Sequence, residues 1–444
     1  MFDHWLKFSH HHSATTSSLV ADVADSRPHS TIGAGASFLV RQPVVDAAGH
    51  LVGHDVAFRA DPSLPGQDAV LNVLAPEFCA IIRRLADSLP VQQVLFLRMD
   101  ASLLTEWLDC FSGAQVVPAI DMAEIVDFTA LVDAIEMVVK QGVSVALDNL
   151  PDVPAAQVLL PLVKFLRFET RRYDMVELER QMATLTKWSA MRIALQVESE
   201  DEYEACRVLG FQAFQGYFFT QVRPEIPRRI DHDRLHIIRL LNLVAQHAEM
   251  VELDAVIRRD AVLAYRLLSY INSPLSGLDH PLESITQALY FLGYNPLYRW
   301  LTVLLFTSGN LAPNDRLLLY QALLRGRLCE LLAQQHKPPM NGDSLFVVGM
   351  FSLLDALFNV PMVQVLEFVT LAPPMQRALR GEPDVYTDIL HFARELENVA
   401  PIAEADLLTE LATKFNMTSA LLNRLQVEAL SWVREADMLH NDGR

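Results

Sequence analysis

Acidic, amide and arginine side chains stand at or near the ends of short apolar runs in the first half of this chain. The acidic and amide members are Asp55, Asp148, Glu169, Glu198 and Gln215. Carboxylates are oxygen ligands that divalent cations prefer, so a convergent set of this kind could hold metal ions. Arg98 and Arg167 take similar positions. A guanidinium has no lone pair for a metal, but two of them can clamp a phosphate group.

The apolar runs predict β-strands that would position these side chains. They are Val94–Leu97, Val116–Ile120, Val143–Leu147, Phe165–Phe168 and Ile193–Val197. Several are nearly continuous in Val, Ile, Leu and Ala, which is typical of parallel strands buried on both faces. Amphipathic segments such as Ala123–Gln141 lie between them. Repeated strand–helix units predict a parallel α/β sheet, either doubly wound or closed as a (β/α)₈-type barrel.

Bulk composition limits the classes of protein to consider. The chain has 444 residues, of which 51% are hydrophobic, so it is long enough for two or three domains. Its apolar runs fall short of the roughly 20 residues that a membrane span needs, and we expect no secretory signal. A formal charge of −18 argues against bulk nucleic-acid binding. The four cysteines are widely spaced without metal-ligand spacing, which predicts a cytoplasmic protein with reduced thiols.

The pattern changes along the chain and divides it. The pattern predicts a disordered tail at residues 1–34 and an α/β barrel domain at 35–223. It predicts a Pro-containing linker at 224–229 and a helical domain with further C-terminal helices at 230–444. In the helical part, Ile237, Leu240, Leu241 and Val244 follow the spacing of one buried helix face. Ser284 is placed to begin a second helix and Gly293 to end it.

Two segments of the barrel domain resemble a known family. Gly53–Arg59 and Phe214–Phe219 are similar to the first strand and the closing Gln-Gly-Tyr run of EAL domains, with Asp55 in place of the motif's Glu. The resemblance implies a closed barrel and the two-metal site of a cyclic di-GMP phosphodiesterase. It places Asp55 on the first strand, Arg98 on the second and Ala119 on the third, with later site residues on strands five to seven.

The resemblance also shows which ligands are replaced. The family's Asn, Glu, second Asp, Lys and first Glu fall on Arg98, Ala119, Asn149, Arg167 and Leu195. Asp148, Glu169, Glu198 and Gln215 are retained. At least three metal ligands are lost and a cation is gained, so we predict an inactive domain without a metal cofactor. The retained residues then serve as strand-end polar groups, and Arg98 and Arg167 either pair with Asp148 and Glu169 or hold phosphate.

The helical part resembles the HDOD family, signalling domains related to metal-dependent HD phosphohydrolases. The matching segments are Leu240–Leu241, Arg259–Asp260, Tyr265–Leu268, Ile271–Pro274, Ile285–Leu289, Leu292–Gly293, Arg299–Leu301 and Val348–Phe351. The His-Asp pair of HD enzymes falls on Ser352 and Leu353, which cannot hold a metal pair. The turn at Asn272 and Ser273 is a candidate ligand or partner surface, with a purely structural turn as the alternative.

These observations predict a non-catalytic bacterial signal-transduction protein that acts through protein contacts. Its partner is a signalling protein that the sequence does not name, and EAL domains often form homodimers. Two alternatives remain open. One is a metal-free cyclic di-GMP receptor that uses Arg98 and Arg167, and the other is a residual cyclic di-GMP phosphodiesterase.

Overall fold

The computed structural model describes residues 37–60, 75–111, 115–125, 128–222, 230–272, 280–309, 311, 314–398 and 407–441. The chain divides into two compact units, one of residues 35–221 with 391–431, and another that includes residues 222–390. Residues 391–431 therefore belong with the barrel, whereas the sequence pattern had grouped them with the helical domain. The predicted tail at 1–34 and linker at 224–229 lie outside the described residues.

A closed barrel forms the first unit, which is the alternative that the EAL resemblance implies. Its strands are β1 Ser37–Asp46, β2 Leu51–Ala60, β3 Val94–Met99, β4 Val116–Asp121, β5 Ala146–Asp148, β6 Phe165–Glu169, β7 Met191–Leu195 and β8 Ala213–Gln215. Its helices are α1 Ala75–Asp87, α2 Leu108–Phe111, α3 Phe128–Lys140, α4 Met175–Leu185 and α5 Glu200–Val208. Short 3-10 turns lie at Ala101–Leu103, Met122–Glu124, Pro154–Leu159, Thr170–Arg172 and Phe218–Thr220.

The first strand corrects the predicted topology. β1 runs antiparallel to both neighbours, β2 and β8, whereas β2–β8 are parallel to one another. Asp55 therefore lies within the second strand rather than after the first, and Arg98 and Ala119 lie on the third and fourth. The hairpin has a recognisable cause: the Asp46 carboxylate accepts the amides of Ala48 and His50 at 2.9 and 2.8 Å, and Gly49 adopts φ +80°.

Helices near the C-terminus complete one edge of the barrel sheet. The helices of this region are α16 Val385–Glu395, α17 Leu407–Lys414 and α18 Ser419–Asn441, and the contacts with β1 come from α18 and from Leu396, which follows α16. The Leu39 amide of β1 donates to Asn423 Oδ1 at 2.9 Å, and the Leu39 carbonyl accepts from Gln426 Nε2 at 2.6 Å. The Arg41 amide donates to the carbonyl of Leu396 at 3.2 Å. Backbone groups that β8 does not reach are thereby satisfied, as buried peptide groups require.

The second unit is helical, as predicted. Its helices are α6 His232–Ala245, α7 Met250–Ile257, α8 Ala261–Ile271, α9 Ile285–Leu292, α10 Tyr294–Thr307, α11 Asp315–Gln335, α12 Gly342–Phe351, α13 Leu354–Phe358, α14 Met362–Phe368 and α15 Pro373–Arg380. The predicted stripe on α6 is buried throughout. Ser284 accepts the Gln287 amide at the start of α9, and Gly293 ends that helix with φ +70°. No helix of the described residues is long and apolar enough to cross a membrane.

Candidate functional site

Four charged side chains project into the barrel near the carboxyl ends of its parallel strands, which we call the barrel mouth. Asp55, Arg98, Asp148 and Arg167 come from β2, β3, β5 and β6. The last three stand two residues beyond Phe96, Ala146 and Phe165, which belong to or pack against the apolar cluster inside the barrel. Because side chains alternate along a strand, these positions share the inner face. The fold therefore brings four of the predicted site residues together.

Arg167 is the centre of this cluster. Its Nε and Nη2 donate to the two carboxylate oxygens of Asp148 at 2.6 and 2.7 Å, and its Nη1 donates to Asp55 Oδ1 at 2.7 Å. The Arg167 side chain is fully buried, with its guanidinium carbon 5.2 Å from the centre of the Phe96 ring. Burial disfavours its charged form, but the Asp148 and Asp55 carboxylates outweigh that effect and raise the pKa of Arg167.

Arg98 completes the cluster from its more accessible side. Its Nη2 lies 3.3 Å from Asp55 Oδ2, its Nε lies 3.8 Å from Asp148 Oδ2, and its side chain is 30% exposed. The four groups carry two positive and two negative formal charges. Arg98 also lines a cavity of about 770 Å³, together with Phe58 of β2, Trp107 and residues of β3, β4 and α3.

The cluster does not fit the two-metal site that the EAL resemblance implies. Both oxygens of Asp148 and both oxygens of Asp55 face guanidinium nitrogens. A metal ion would have to displace Arg167 from a fully buried position, and Arg98 would repel it. Within the described parts of the chain, no group of three His, Cys, Asp or Glu residues could hold a metal ion.

Three other predicted positions line the barrel without joining the cluster. Ala119 and Leu195 belong to the apolar core, where their side chains have no polar atom. Gln215 is buried, and its amide nitrogen donates to Gln42 while its carbonyl oxygen accepts the Gln196 amide at 2.7 Å. Gln215 thus satisfies buried polar groups, as expected for a strand-end residue.

A second polar group surrounds Asn149. This residue has φ +53°, and its side-chain oxygen accepts the Glu169 amide at 2.9 Å. Its amide nitrogen lies 3.4 Å from both oxygens of Asp121. Glu169 pairs with Arg172 at 2.5 Å, rather than with either predicted arginine. Sequence reasoning missed Asp121 and Arg172, although Asp121 directly follows the apolar run of β4 and matched the strand-end criterion.

Glu198 lies apart from the cluster and is close to Tyr217. Burial raises the pKa of the Glu198 carboxyl, although a hydrogen bond from the Tyr217 amide acts in the opposite direction. The Glu198 amide donates to Glu202 Oε2 at 2.8 Å, and Glu202 also caps α5 through Ser199. These backbone contacts organise the start of α5.

Ser352 and Leu353, which the HD resemblance aligns with the metal-binding His-Asp pair, make no contact of that kind: Ser352 is hydrogen-bonded to protein groups and Leu353 is apolar. Ser352 is buried, and its hydroxyl donates to the Gly349 carbonyl at 2.7 Å and accepts from Arg325 Nη1 at 2.8 Å. Leu353 is also buried. Arg325 therefore places a cation beside Ser352, the position that the HD resemblance aligned with a metal ligand.

The predicted turn is only partly within the described residues. Asn272 ends α8, and its side chain exchanges two hydrogen bonds with the backbone of Leu282 at 2.6 and 2.7 Å. These bonds use both ends of the amide, which favours the structural alternative for Asn272. Ser273 and Pro274 lie outside the described residues.

Another buried ion cluster stabilises the helical unit. Arg299 donates to the two carboxylate oxygens of Glu330 at 2.8 and 3.0 Å, and Arg327 donates to the same carboxylate at 2.8 Å. The Arg299 guanidinium carbon lies 3.6 Å from the centre of the Phe346 ring. Burial alone would raise the pKa of Glu330, but the two arginines lower it overall.

Comparison with known proteins identifies the helical unit. Residues 234–366 match the family model described as the HDOD domain. The chain carries an HDOD domain. The match extends from α6 into α14, and the Arg299–Glu330 pair and the Ser352–Arg325 contact both lie inside it.

Two curated relatives cover most of this chain. YuxH of Bacillus subtilis is 26% identical over 413 residues, which cover 89% of this chain and 97% of YuxH. CdgJ of Vibrio cholerae, described as a cyclic di-GMP phosphodiesterase, is 26% identical over 375 residues, 78% of this chain and 81% of CdgJ. Among solved structures, YkuI of Bacillus subtilis, a protein with an EAL domain, is 16% identical with a TM-score of 0.36, covering 53% of this chain and 73% of that one.

Proposed function

We propose that this EAL–HDOD chain is a non-catalytic bacterial signal-transduction protein that acts through protein contacts in the cytoplasm. The observation that carries the proposal is the position of Arg167. Its guanidinium bonds both Asp148 oxygens and one Asp55 oxygen inside the barrel. Metal-dependent hydrolysis of a phosphodiester would need those oxygens as ligands.

The energetics support an inactive barrel. Removing one partner from a buried, hydrogen-bonded ion pair costs about 3–5 kcal/mol, because an uncompensated charge stays behind. A divalent cation would have to offset this cost while lying close to Arg98, which is 3.3 Å from Asp55. The two arginines therefore balance the charges of Asp55 and Asp148, as metal ions would in a metal-dependent enzyme.

The helical unit supports the same function. The HD resemblance aligns Ser352 with a metal ligand, and the Ser352 hydroxyl instead accepts a hydrogen bond from Arg325. Exposed aromatic side chains are present on its surface: Tyr265, Tyr290 and Phe291 are 72%, 66% and 52% exposed. Aromatic residues are enriched in protein interfaces, so these side chains are candidates for partner contacts.

A metal-free cyclic di-GMP receptor is the second candidate. It is favoured by the cavity of about 770 Å³ beside Arg98, whose side chain is part-exposed. Arg167 is fully buried and engaged by carboxylates, so Arg98 would bind the phosphate without the second guanidinium that the sequence suggested. The description of CdgJ as a phosphodiesterase favours residual hydrolysis as a third candidate.

Calorimetry separates the three. The full chain is titrated with cyclic di-GMP, first in EDTA and then with Mg²⁺ or Mn²⁺, and the products are followed by chromatography. We expect no binding heat and no linear product in either condition. The comparison pair is Arg98→Ala and Arg172→Ala, since both arginines lie near the barrel mouth but only Arg98 lines the cavity.

Each other outcome selects a different function. Binding in EDTA that Arg98→Ala abolishes and Arg172→Ala retains would select the receptor. Formation of linear product that depends on the metal would overturn the proposal. Circular dichroism of each variant establishes that a loss of binding is not a loss of folding.

A further inference from the structure

A small cavity lies among helices of the helical unit. It has a volume of about 180 Å³ and is lined by residues of α6, α10, α12 and the start of α15. A single buried water needs only about 10–15 Å³ of such space, whereas drug-sized ligands need roughly 300–1,000 Å³. Leu371 and Met375 line the cavity but lie beyond residues 234–366, so part of its wall comes from outside the match to the HDOD family. The cavity is of a size for a small molecule.

Two neighbouring residues of α10 bring unsatisfied hydrogen-bond donors to this cavity. Tyr298 and Arg299 both line it, and the Tyr298 hydroxyl and Arg299 Nε are buried with no hydrogen-bond partner among the described residues. Burial raises the pKa of the Tyr298 phenol, so the hydroxyl keeps its proton at neutral pH. Buried polar groups are normally paired, and both of these groups can donate to an oxygen acceptor.

The charges around the cavity favour an acceptor with a single negative charge. Arg299 and Arg327 share the one carboxylate of Glu330, so this buried group carries one excess positive charge. Asp343 Oδ1 lies 3.3 Å from Arg299 Nη1, but the Asp343 side chain is 51% exposed, so water screens much of its charge. A monoanion balances the buried excess, whereas a dianion meets stronger repulsion from Asp343.

The remaining lining includes apolar side chains that suit a short hydrocarbon tail. Val244, Val347, Leu371 and Met375 all line the cavity and are buried. A hydrated inorganic anion gains nothing from these side chains, whereas an aliphatic group removes its own apolar surface from water against them. Small-molecule sites typically combine such apolar walls with a few polar groups that fix the orientation of the ligand.

We propose that this cavity binds a small aliphatic monocarboxylate. The carboxylate accepts hydrogen bonds from the Tyr298 hydroxyl and Arg299 Nε, and the tail contacts Val347, Leu371 and Met375. All of these residues belong to the helical unit. The inference therefore goes beyond the proposed function, and it stands or falls independently of whether the barrel hydrolyses or binds a nucleotide.

Ligand-observed nuclear magnetic resonance tests the proposal on the full chain. Saturation transfer from the protein to isovalerate, a branched aliphatic monocarboxylate, is followed as the isovalerate concentration rises. Isovaleramide serves as the neutral isostere, and inorganic phosphate serves as a competitor. We expect saturable binding of isovalerate, about tenfold weaker binding of the amide because a charge-assisted hydrogen bond is lost, and no displacement by phosphate.

Conservative substitutions test the named groups. Tyr298→Phe keeps the ring but removes the hydroxyl, and should weaken isovalerate binding about tenfold. Tyr290→Phe is the matched control and should bind normally, because Tyr290 is 66% exposed on α9 and is not among the described residues that line the cavity. Asp343→Asn removes a screened repulsion and should strengthen isovalerate binding by up to about fivefold without affecting the amide.

Three results would overturn the proposal. One is the absence of saturable transfer to isovalerate, which is expected of a cavity that takes ordered water only. Another is equal affinity for isovalerate and isovaleramide, which would remove the role of the negative charge. The third is equal affinity of the Tyr298→Phe and Tyr290→Phe variants, which would place the bound carboxylate elsewhere.

Discussion

Replacing Arg167 with methionine is expected to destabilise the barrel unit by about 3 kcal/mol. Methionine keeps much of the apolar stem but removes the guanidinium, which makes hydrogen bonds of 2.6, 2.7 and 2.7 Å. Asp55 and Asp148 stay buried with only Arg98 nearby, at 3.3 and 3.8 Å. Breaking a buried pair costs about 3–5 kcal/mol, and the remaining cation places the loss near the lower limit.

Urea unfolding measures this loss. With a denaturant slope of about 2 kcal/mol per M, 3 kcal/mol moves the midpoint of the barrel transition down by about 1.5 M. Trp107 and Trp188 report on the barrel by fluorescence, and hydrogen exchange of barrel peptides separates its transition from that of the helical unit.

An exposed arginine provides the matched control. The Arg172 side chain is 47% exposed although it pairs with Glu169 at 2.5 Å, so Arg172→Met should cost less than about 1 kcal/mol. Equal midpoint shifts for Arg167→Met and Arg172→Met would refute the reasoning, because they would show that the buried cluster has no special energetic weight.

Three further predictions concern other contacts. Burial and then the charge of Arg41 lower the pKa of His54 to about 3, so the unfolded chain binds a proton that the folded chain does not. The stability that neutral His54 contributes is fully present above pH 6.5 and is lost as pH falls towards 3. The free energy of unfolding should therefore drop by about 2 kcal/mol between pH 7 and pH 5. A His54→Phe variant whose free energy of unfolding has the same pH dependence would contradict the assignment. Asn423→Ala leaves the Leu39 amide of β1 buried and unsatisfied, which should lower the free energy of unfolding by about 1–3 kcal/mol. Hydrogen exchange of β1 should also become faster. An unchanged exchange rate would show that Asn423 does not protect β1. Glu330→Gln leaves two guanidiniums facing a neutral amide, so the urea midpoint of the helical unit should fall by about 1 M or more, and an unaltered midpoint would count against it.

The parallel α/β class could be predicted from sequence because buried parallel strands have a strong pattern, but that pattern left a doubly wound sheet and a barrel both open, and only the EAL resemblance favoured the barrel. Three predicted strand runs overlap β3, β4 and β6 closely, and two others partly overlap β5 and β7. The direction of β1 could not be obtained in that way, since apolar periodicity carries no information on polarity. Asp46 and Gly49 were the available hairpin signal, because an Asp that caps its own turn and a Gly in the left-handed region are typical of tight connections.

The candidate site was predictable in its residue types but not in its pairing. The sequence indicated that Arg98 and Arg167 could pair with retained acids, and the structure places both beside Asp148. Arg167 also bonds Asp55, which is 112 residues away in sequence, and only the closure of the barrel brings these two groups together. The predicted pairing with Glu169 failed because Glu169, at the end of β6, is within reach of an arginine three residues later.

The contacts that complete the edge of β1 have a consequence for the order of synthesis. The hydrogen bonds between Leu39 and the side chains of Asn423 and Gln426 join residues 384 and 387 positions apart. A growing chain therefore emerges from the ribosome with its first strand, and must finish the whole HDOD domain, before the groups that cover that strand exist. Until then the edge of β1 offers free backbone donors and acceptors to other chains, as open sheet edges do. The last helices thus determine how long the nascent chain is vulnerable to aggregation, and a fragment ending at residue 222 would remain in that state permanently.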